Sequence, residues 1–324
     1  MLRDGKRYVV SIILHWRVVY ILSLVFTLAF INSEYASAQT LKTLYTFSGG
    51  ADGDGPWSGL LIANNGLYGT TLEGGLFRSG TVFRLNAGGE NAIYSFEGSP
   101  DGLSPYGGVF RDNSGNLYGV TLEGGSQPCS CGTVFEISPP KSPHASWQET
   151  VLHNFDISDD DGWEPHGPLV MDALGNLFGT TAQGGSFAYG TVFTVDTTGT
   201  EQVLYNFGAD NWAGGVNPAD GLILDPSGNL YGTAPAGGSH GNGVVFEIDS
   251  GGTENALHDF RGKPRDGRQP IAGLIRDHTG NLFGTTEHGG AFGDGAIFGI
   301  NSNGKEALLY SFTGGEDGGL PQGG

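Results

Sequence analysis

The sequence has little cysteine, methionine or basic charge. Among 324 residues there are only 2 Cys, 2 Met and 15 Lys or Arg. Apolar residues also lack helical spacing after the N-terminal segment. Together these scarcities argue against a zinc-finger array, a disulfide-stapled scaffold and a helical bundle. The 34 acidic residues give a formal net charge of -19, which argues against nucleic acid or anionic lipid as a partner.

Glycine is abundant instead, with 59 residues. Hydrophobic residues make up 38% of the chain and aromatic residues 11%, which is enough to bury a core, so we expect a folded protein. Glycine supplies positive φ at turns and lets strands approach closely. The composition therefore indicates a packed structure rich in tight turns.

Residues 1–38 have the pattern of an export signal. A basic leader precedes an uncharged, mostly apolar stretch at 18–31, and Ala36 and Ala38 form a small-x-small cleavage site. The apolar stretch is short for a spanning helix, which needs about 20 residues. We predict a cleaved signal peptide, with an uncleaved anchor as the alternative. The mature chain, starting near Gln39, is then expected to be exported and to lie outside the cell, in the periplasm or at the cell surface, without a membrane span.

The rest of the chain is a tandem repeat. Gly-Asn-Leu-(Tyr/Phe)-Gly begins at residues 115, 175, 228 and 280, and a close variant begins at residue 65. A Gly-Gly pair follows each copy, and then Gly-Thr-Val-Phe or a relative of it. The unit ends in a strand-like segment whose last Phe is at 47, 96, 155, 207, 260 or 312. Such a period indicates repeated supersecondary units that stack on each other.

Each repeat is predicted to form four short strands, which we call a to d. In the third unit they are expected at residues 168–172, 176–181, 190–195 and 202–207. Strands b and c carry apolar side chains on both faces, so each sheet must be covered on both sides by its neighbours. Four-stranded units of this size are typical of β-propeller blades. We therefore predict an all-β, propeller-like ring, with a long β-solenoid as the alternative.

Residues 39–324 are predicted to form one domain of five complete repeats. The repeats start near residues 59, 107, 167, 220 and 272, with an extra d strand at 43–47 and a partial sixth repeat from residue 307. In a six-bladed ring the extra strands would belong to an incomplete blade. We therefore expect a larger ring and a truncated chain; the alternative is five blades with a spare strand.

These motifs resemble the GloVer-type tandem repeat of bacterial exported proteins. The resemblance covers nearly all of residues 41–321 and is carried by five copies in register. It implies an exported bacterial protein, often with a C-terminal surface-sorting anchor. No enzymatic role comes with the resemblance, so it assigns no functional residues.

The long loops are the predicted functional face. In a propeller, the d-to-a and b-to-c loops lie on one face, and here they vary between repeats while the opposite turns stay short. The d-to-a loops combine aromatic rings with carboxylates, a pairing that suits the apolar face and hydroxyl rim of a sugar. Alternatively, the rings cap the blade core and the Asp residues close Asx-type turns. The candidate ligand-binding residues are Trp57, Tyr106, Trp163, Trp212, Asp52, Asp101 and Asp161.

Two further predictions concern calcium and cysteine. Converging carboxylate oxygens can bind calcium, although no EF-hand pattern is present. Cys129 and Cys131 are predicted to form a disulfide after export, with free or intermolecular thiols as the alternative because a bridge across one residue is strained. The candidate calcium ligands are Asp156, Asp159, Asp160, Asp161 and Glu164.

The expected function is therefore binding without catalysis. The ligand is expected to be carbohydrate, a polysaccharide, or another cell-surface molecule, and no cofactor apart from calcium is implied. A structural or protein-interaction role is the main alternative, with a surface protein as partner. A glycoside hydrolase is a weaker one, because near-identical blades suggest equivalent surfaces whereas a single active site breaks that symmetry. The protein is expected to be a monomer.

Overall fold

The computed structural model describes residues 42–158, 161–218, 220–262, 264 and 266–323. The predicted signal peptide at 1–38 lies outside these residues. The chain divides into two compact units, Met1–Thr46 and Phe47–Gly324. In the first unit, described residues 42–46 form no regular secondary structure, and all of the strands belong to the second.

The second unit is an all-β propeller of five antiparallel blades, which confirms the predicted fold class. In each blade the strand order is a-b-c-d, and neighbours in that order are hydrogen-bonded. In order a to d, the strands are β1 (Leu61–Ala63), β2 (Gly66–Thr71), β3 (Thr81–Asn86) and β4 (Gly89–Ser95); β6 (Phe110–Arg111), β7 (Leu117–Thr121), β9 (Thr133–Ser138) and β10 (Gln148–Asn154); β12 (Val170–Met171), β13 (Leu177–Gly184), β14 (Thr191–Val195) and β15 (Glu201–Asn206); β16 (Ile223–Leu224), β17 (Leu230–Ala234), β18 (Val244–Ile248) and β19 (Glu254–Asp259); β21 (Ile275–Arg276), β22 (Leu282–Thr286), β24 (Ala296–Ile300) and β25 (Glu306–Ser311).

Short additional strands run through the d-to-a loops. Each pairs antiparallel with the end of strand b or with the residues just after it. They are β5 (Gly102–Leu103) with β8 (Glu123–Gly124), β11 (Gly162–Pro165) with β13, and β20 (Gly267–Arg268) with β23 (His288–Gly289).

The two most regular sequence motifs meet inside each blade. Gly179 on strand b lies opposite Phe193 on strand c. A Cβ atom added to Gly179 would lie 2.6 Å from the ring carbon Cζ of Phe193, so only glycine leaves room for the ring. The other four blades repeat this contact, with the ring 2.5–2.7 Å from the added atom. The last Gly of Gly-Asn-Leu-Tyr-Gly and the Phe of Gly-Thr-Val-Phe are therefore packing partners.

The core lies between consecutive blades. The last Phe of each d strand packs edge-to-face on the strand-c Phe of the following blade, as Phe155 does on Phe193 with ring centroids 5.1 Å apart. Both rings are fully buried. The same pair recurs at the other three junctions as Phe96–Phe135, Phe207–Phe246 and Phe260–Phe298. Phe47, which precedes the first blade, contacts Phe83 in the same way. This confirms the inference that each sheet is covered by its neighbours.

The chain ends differ from the prediction. Residues 43–47 do not form a strand, because among the described residues there is no strand c beside them to pair with; only the ring of Phe47 keeps its repeat contact. The segment from residue 307 belongs to β25, the d strand of the fifth blade. Beyond it, the backbone N–H of Leu320 donates to the carbonyl of Asp294 at 2.7 Å, as equivalent loop residues do elsewhere. Within the described residues we find no helix, and hence none suited to crossing a membrane.

Candidate functional site

The structure places the d-to-a and b-to-c loops on one face, as the repeat pattern predicted. Backbone hydrogen bonds join the two kinds of loop in every blade. Gly185 N–H donates to the carbonyl of Asp161 at 2.6 Å, and Glu164 N–H donates to the carbonyl of Cys131 in the preceding blade at 3.1 Å. Glu164 makes this contact at φ 56°. The loops thus form one connected surface that spans blade boundaries.

The carboxylates of the Asp-Gly-x-x-Pro segments close the loops themselves. The backbone N–H groups of Glu97 and Gly102 donate to Asp101 at 2.9 and 2.6 Å, and the hydroxyl of Tyr94 donates at 3.0 Å. Asp52 accepts from the N–H and hydroxyl of Ser48 at 2.8 and 2.5 Å. These contacts support the turn interpretation of the motif over its use as a set of sugar acceptors.

The three described carboxylates of the predicted calcium cluster also accept hydrogen bonds from neighbouring groups. Asp161 accepts the N–H of Gly162 at 2.7 Å, Asp156 accepts the N–H of Ser158 at 2.7 Å, and Glu164 accepts the amide of Gln183. Each of the three carboxylates therefore accepts a hydrogen bond from a different donor group. Asp159 and Asp160 lie outside the described residues, and calcium binding stays a prediction.

The four candidate aromatic residues separate into two kinds. Trp57 is 65% exposed and Trp212 is 51% exposed, and the ring of Trp212 lies edge-on to Tyr189 with centroids 5.6 Å apart. Tyr106 is half-buried. Trp163 is half-buried against the core between the second and third blades, because β11 pairs with β13 and holds its ring over Gly184. Trp163 therefore has the core-capping role that the alternative interpretation gave it.

The b-to-c loops add exposed rings to the same face. Phe77, Phe187 and Phe292 each stand two residues after the Gly-Gly pair in blades one, three and five, and all three are exposed. Among the described residues, only one exposed aromatic lies outside these loops, Tyr310 in β25. A concentration of exposed rings on one face is unusual, since apolar side chains are normally scattered singly over a surface.

Near the propeller axis lies a polar group of which the sequence motifs indicated only Tyr106. Tyr106 and His166 follow the Pro of successive loops, and their rings lie edge-to-face with centroids 5.1 Å apart. Burial lowers the pKa of His166. Asp220 accepts the N–H groups of Gly221 and Gly273 at 2.7 and 2.5 Å, and burial raises its pKa. Tyr106 and His166 each stand directly after a loop Pro, and Asp220 stands two residues after Pro218, so an alignment of the repeats would have placed all three just before strand a.

The cysteine pair lies at the edge of the same surface. The structure brings the sulfur atoms of Cys129 and Cys131 together, with Cα atoms 5.2 Å apart. Cys131 is buried in the core between blades two and three, and Cys129 packs beside it. The segment is thus anchored to the core rather than standing on an exposed loop, and the oxidation of the two thiols stays a prediction.

A buried carboxyl near Asp101 makes stability depend on pH. Burial, and then the charge of Asp101, raise the pKa of Glu149 from its usual 4.5 to about 7. Between these values the folded protein binds more protons than the unfolded chain, so the free energy of unfolding falls as pH rises from about 4.5 through 7. Solvent screens this half-buried group, so we expect about 1 kcal/mol, or roughly 2–4 °C in melting temperature.

Melting curves between pH 4.5 and 8 test this dependence. Glu149→Gln cannot ionise, so its melting temperature should fall less than that of the wild type over this range. Glu97→Gln, at an exposed position in the loop that carries Asp101, should keep the wild-type slope. Identical slopes for the wild type and Glu149→Gln would contradict the assignment.

Together, the blades, their order and the repeat motifs define a β-propeller built from tandem repeats. The chain belongs to the Gloeobacter/Verrucomicrobia repeat family, which it matches over residues 31–159 and 131–324. The matched regions contain every blade, and the family is the one that the sequence motifs resemble.

Solved structures with a similar architecture share little sequence with this chain. A glucose dehydrogenase is 16% identical, with a TM-score of 0.48, over 84% of this chain and 90% of its own. A proposed gluconolactonase is 14% identical, with a TM-score of 0.46, over 80% and 79%. A proposed 6-phosphogluconolactonase from Bacteroides uniformis is 14% identical, with a TM-score of 0.47, over 78% and 68%. No curated protein matches the sequence. At these identities the likeness is one of fold alone.

Proposed function

We propose that the protein binds a neutral polysaccharide through the face formed by the d-to-a and b-to-c loops, without catalysing a reaction on it. The observation that carries this proposal is the concentration of exposed rings on that face, in five of six cases among the described residues. A pyranose ring presents an apolar face that stacks on an aromatic side chain, and its hydroxyl groups need hydrogen-bond partners around that ring.

Charge narrows the class of ligand. The chain carries 34 acidic and 15 basic residues, so a polyanionic polysaccharide would be repelled over the whole surface. The Asp residues of the loops accept hydrogen bonds from turn donors, and Asp220 near the axis accepts the N–H groups of Gly221 and Gly273. Each of these carboxylate oxygens keeps a second lone pair that a sugar hydroxyl could share. A neutral chain of sugars satisfies both conditions.

The repeat explains how weak contacts would add up. One exposed ring contributes about 0.5–1.5 kcal/mol, which is up to about tenfold in affinity. Rings in several blades that engage one polymer act at high effective concentration, so the polymer is held more tightly than a single sugar. We therefore expect binding of polymers and little binding of monosaccharides.

Removal of the exposed rings should weaken this binding. Trp57→Ala and Trp212→Ala are each expected to lower polymer affinity about tenfold and to leave the melting temperature nearly unchanged, because at least half of each residue is exposed to solvent. Affinity electrophoresis in gels containing β-1,3-glucan, β-1,4-mannan, xylan or hydroxyethylcellulose measures the effect. Leu174→Ala removes an exposed side chain from an a-b turn on the opposite face and should change nothing.

The same gels distinguish the alternatives. Retardation of the wild type that is lost in the two Trp variants supports the proposal. No retardation by any of the four polymers, or retardation that both Trp variants keep, would contradict it. In that case a structural or protein-interaction role would become the better interpretation. Release of a reducing end from any polymer would favour a hydrolase.

A further inference from the structure

A second set of polar side chains lies away from the exposed rings of the loop face, between the outer strands of adjacent blades. Each d strand contains a β-bulge at its register shift with strand c. Bulges redirect side chains, and the residue directly after each bulge is aromatic and polar. Three blades carry Tyr at this position and two carry His. The five residues are Tyr94, His153, Tyr205, His258 and Tyr310.

In the two His blades, three side chains converge. Nε2 of His153 lies 3.2 Å from Oδ2 of Asp161 in the following loop, and Glu201 reaches them from the d strand of the next blade. One ligand atom from each of the three residues lies within 4.8 Å of the others. A second cluster of the same kind is formed by His258, Asp266 and Glu306, with Nε2 of His258 at 3.1 Å from both oxygens of Asp266.

The two clusters are copies of one arrangement. The separation in sequence between the His and the Asp is the same in both, and so is the separation between the His and the Glu. They join blade two to blade three and blade four to blade five. The equal spacing follows from the tandem repeat, and what sets these two junctions apart is the imidazole that joins the two carboxylates.

Each cluster contains a buried carboxylate oxygen without a partner. Oε1 of Glu201 and Oε1 of Glu306 are buried and accept no hydrogen bond from the residues that the structure describes. The side chain of Asp161 is only 8% exposed. Two carboxylates held together out of water are unfavourable unless a proton or a cation lies between them. The imidazole of His153 supplies a third ligand atom facing the same space.

The Asp side chains are oriented for ligation. Asp161 accepts the backbone N–H groups of Asp156 and Gly162 at 2.9 and 2.7 Å, and Asp266 accepts those of Arg261 and Gly267 at 2.8 and 2.7 Å. Each carboxylate oxygen keeps a second lone pair for a cation. Hydrogen bonds of this kind fix metal-binding carboxylates in place.

We propose that the His153–Asp161–Glu201 and His258–Asp266–Glu306 clusters are two equivalent binding sites for a divalent transition metal of the zinc class. One imidazole and two carboxylates form a nitrogen and oxygen ligand set that suits Zn²⁺ with bonds of about 2.0–2.2 Å. Two ligands of one ion are then at most about 4.2 Å apart, so the described atoms need to move together only slightly. Each ion would join two blades at their outer edges.

The Tyr blades provide the comparison within the same chain. At the junction of blades one and two, the hydroxyl of Tyr94 donates a proton to Asp101 at 3.0 Å, and Glu149 occupies the position of Glu201 with its own buried Oε1. A phenol that donates to the carboxylate offers no lone pair equivalent to that of imidazole. The junction therefore has the two carboxylates without the nitrogen ligand.

The experiment uses the full chain, freed of metal with EDTA and dialysed. Titration with Zn²⁺ by calorimetry, and metal content by mass spectrometry, should give two equivalents for the wild type. His153→Tyr and His258→Tyr each introduce the residue that the other three blades carry at this position. Each variant should therefore fold and bind one equivalent of Zn²⁺. The double variant should bind Zn²⁺ at least 100-fold more weakly, and Tyr94→His should add a third equivalent.

A second readout separates these sites from surface histidines. Co²⁺ bound by one nitrogen and two oxygen ligands gives visible absorption, which should halve in each single His variant and vanish in the double variant. Glu201→Gln keeps the shape of the side chain and should weaken only one site. Binding of fewer than two equivalents by the wild type, or retention of both in the double variant, would overturn the proposal. Its failure would leave polysaccharide binding by the loop face untouched, because Trp57 and Trp212 take no part in it.

Discussion

Truncation of Phe193 to alanine is expected to destabilise the protein by about 3–5 kcal/mol, the largest effect we expect for a single side chain. The ring is fully buried, it covers Gly179 within its own blade, and it receives the edge of Phe155 from the preceding blade at 5.1 Å. Its removal opens a cavity at two packing contacts, and rigid strands on both sides cannot close it.

Denaturant unfolding followed by circular dichroism measures this loss. Phe187→Ala serves as the control, because it removes the same side chain from the b-to-c loop of the same blade, where the ring is 47% exposed. It should cost less than about 1 kcal/mol. Similar losses of stability for the two variants would mean that the Phe–Phe contacts between consecutive blades do not hold the blades together.

The blade core was predictable because its signals are local and repeated. Glycine on strand b and Phe on strand c lie close together in the sequence, as Gly179 and Phe193 do, so one antiparallel pairing brings them into contact. Five copies of the same pattern predict the sheet, its register and its buried faces. The extra d strand at 43–47 was wrong because a strand needs a partner to pair with, and the repeat pattern does not show one.

Parts of the site depend on contacts between blades, which spacing alone does not reveal. Trp57 and Trp163 belong to equivalent loops, yet one is exposed and the other packs on the core. Trp163 lies in the segment that pairs with β13, at the place that Asp54 holds in the first loop, whereas Trp57 lies farther along, directly after the loop Pro. His153 and Glu201 are far apart in the sequence and meet only because neighbouring outer strands lie side by side. The Asp of the loop motif was open to two interpretations until its hydrogen-bond donors were known.

The propeller axis gives the second large expected effect, on the substitution Gly221→Ala. Near the axis, the a strands of adjacent blades approach each other backbone to backbone. A Cβ atom at Gly221 would lie 2.7 Å from the carbonyl oxygen of Pro168 and 2.7 Å from its ring. Neither group is the flexible end of a side chain, so the blades must separate, and we expect a loss of about 1–3 kcal/mol.

Gly59→Ala is a matched control, because Gly59 holds the same place in the first repeat, three residues after the loop Pro. A Cβ atom there would meet nothing within 4 Å, and neither glycine has a positive φ. Backbone strain therefore cancels between the two variants, and the reduced freedom of the unfolded chain acts on both alike. The difference between their free energies of unfolding then measures the inter-blade contact alone. If Gly221→Ala were as stable as Gly59→Ala, the close approach of the a strands at the axis would not exist in solution, and the polar group formed by His166 and Asp220 beside it would lose its support.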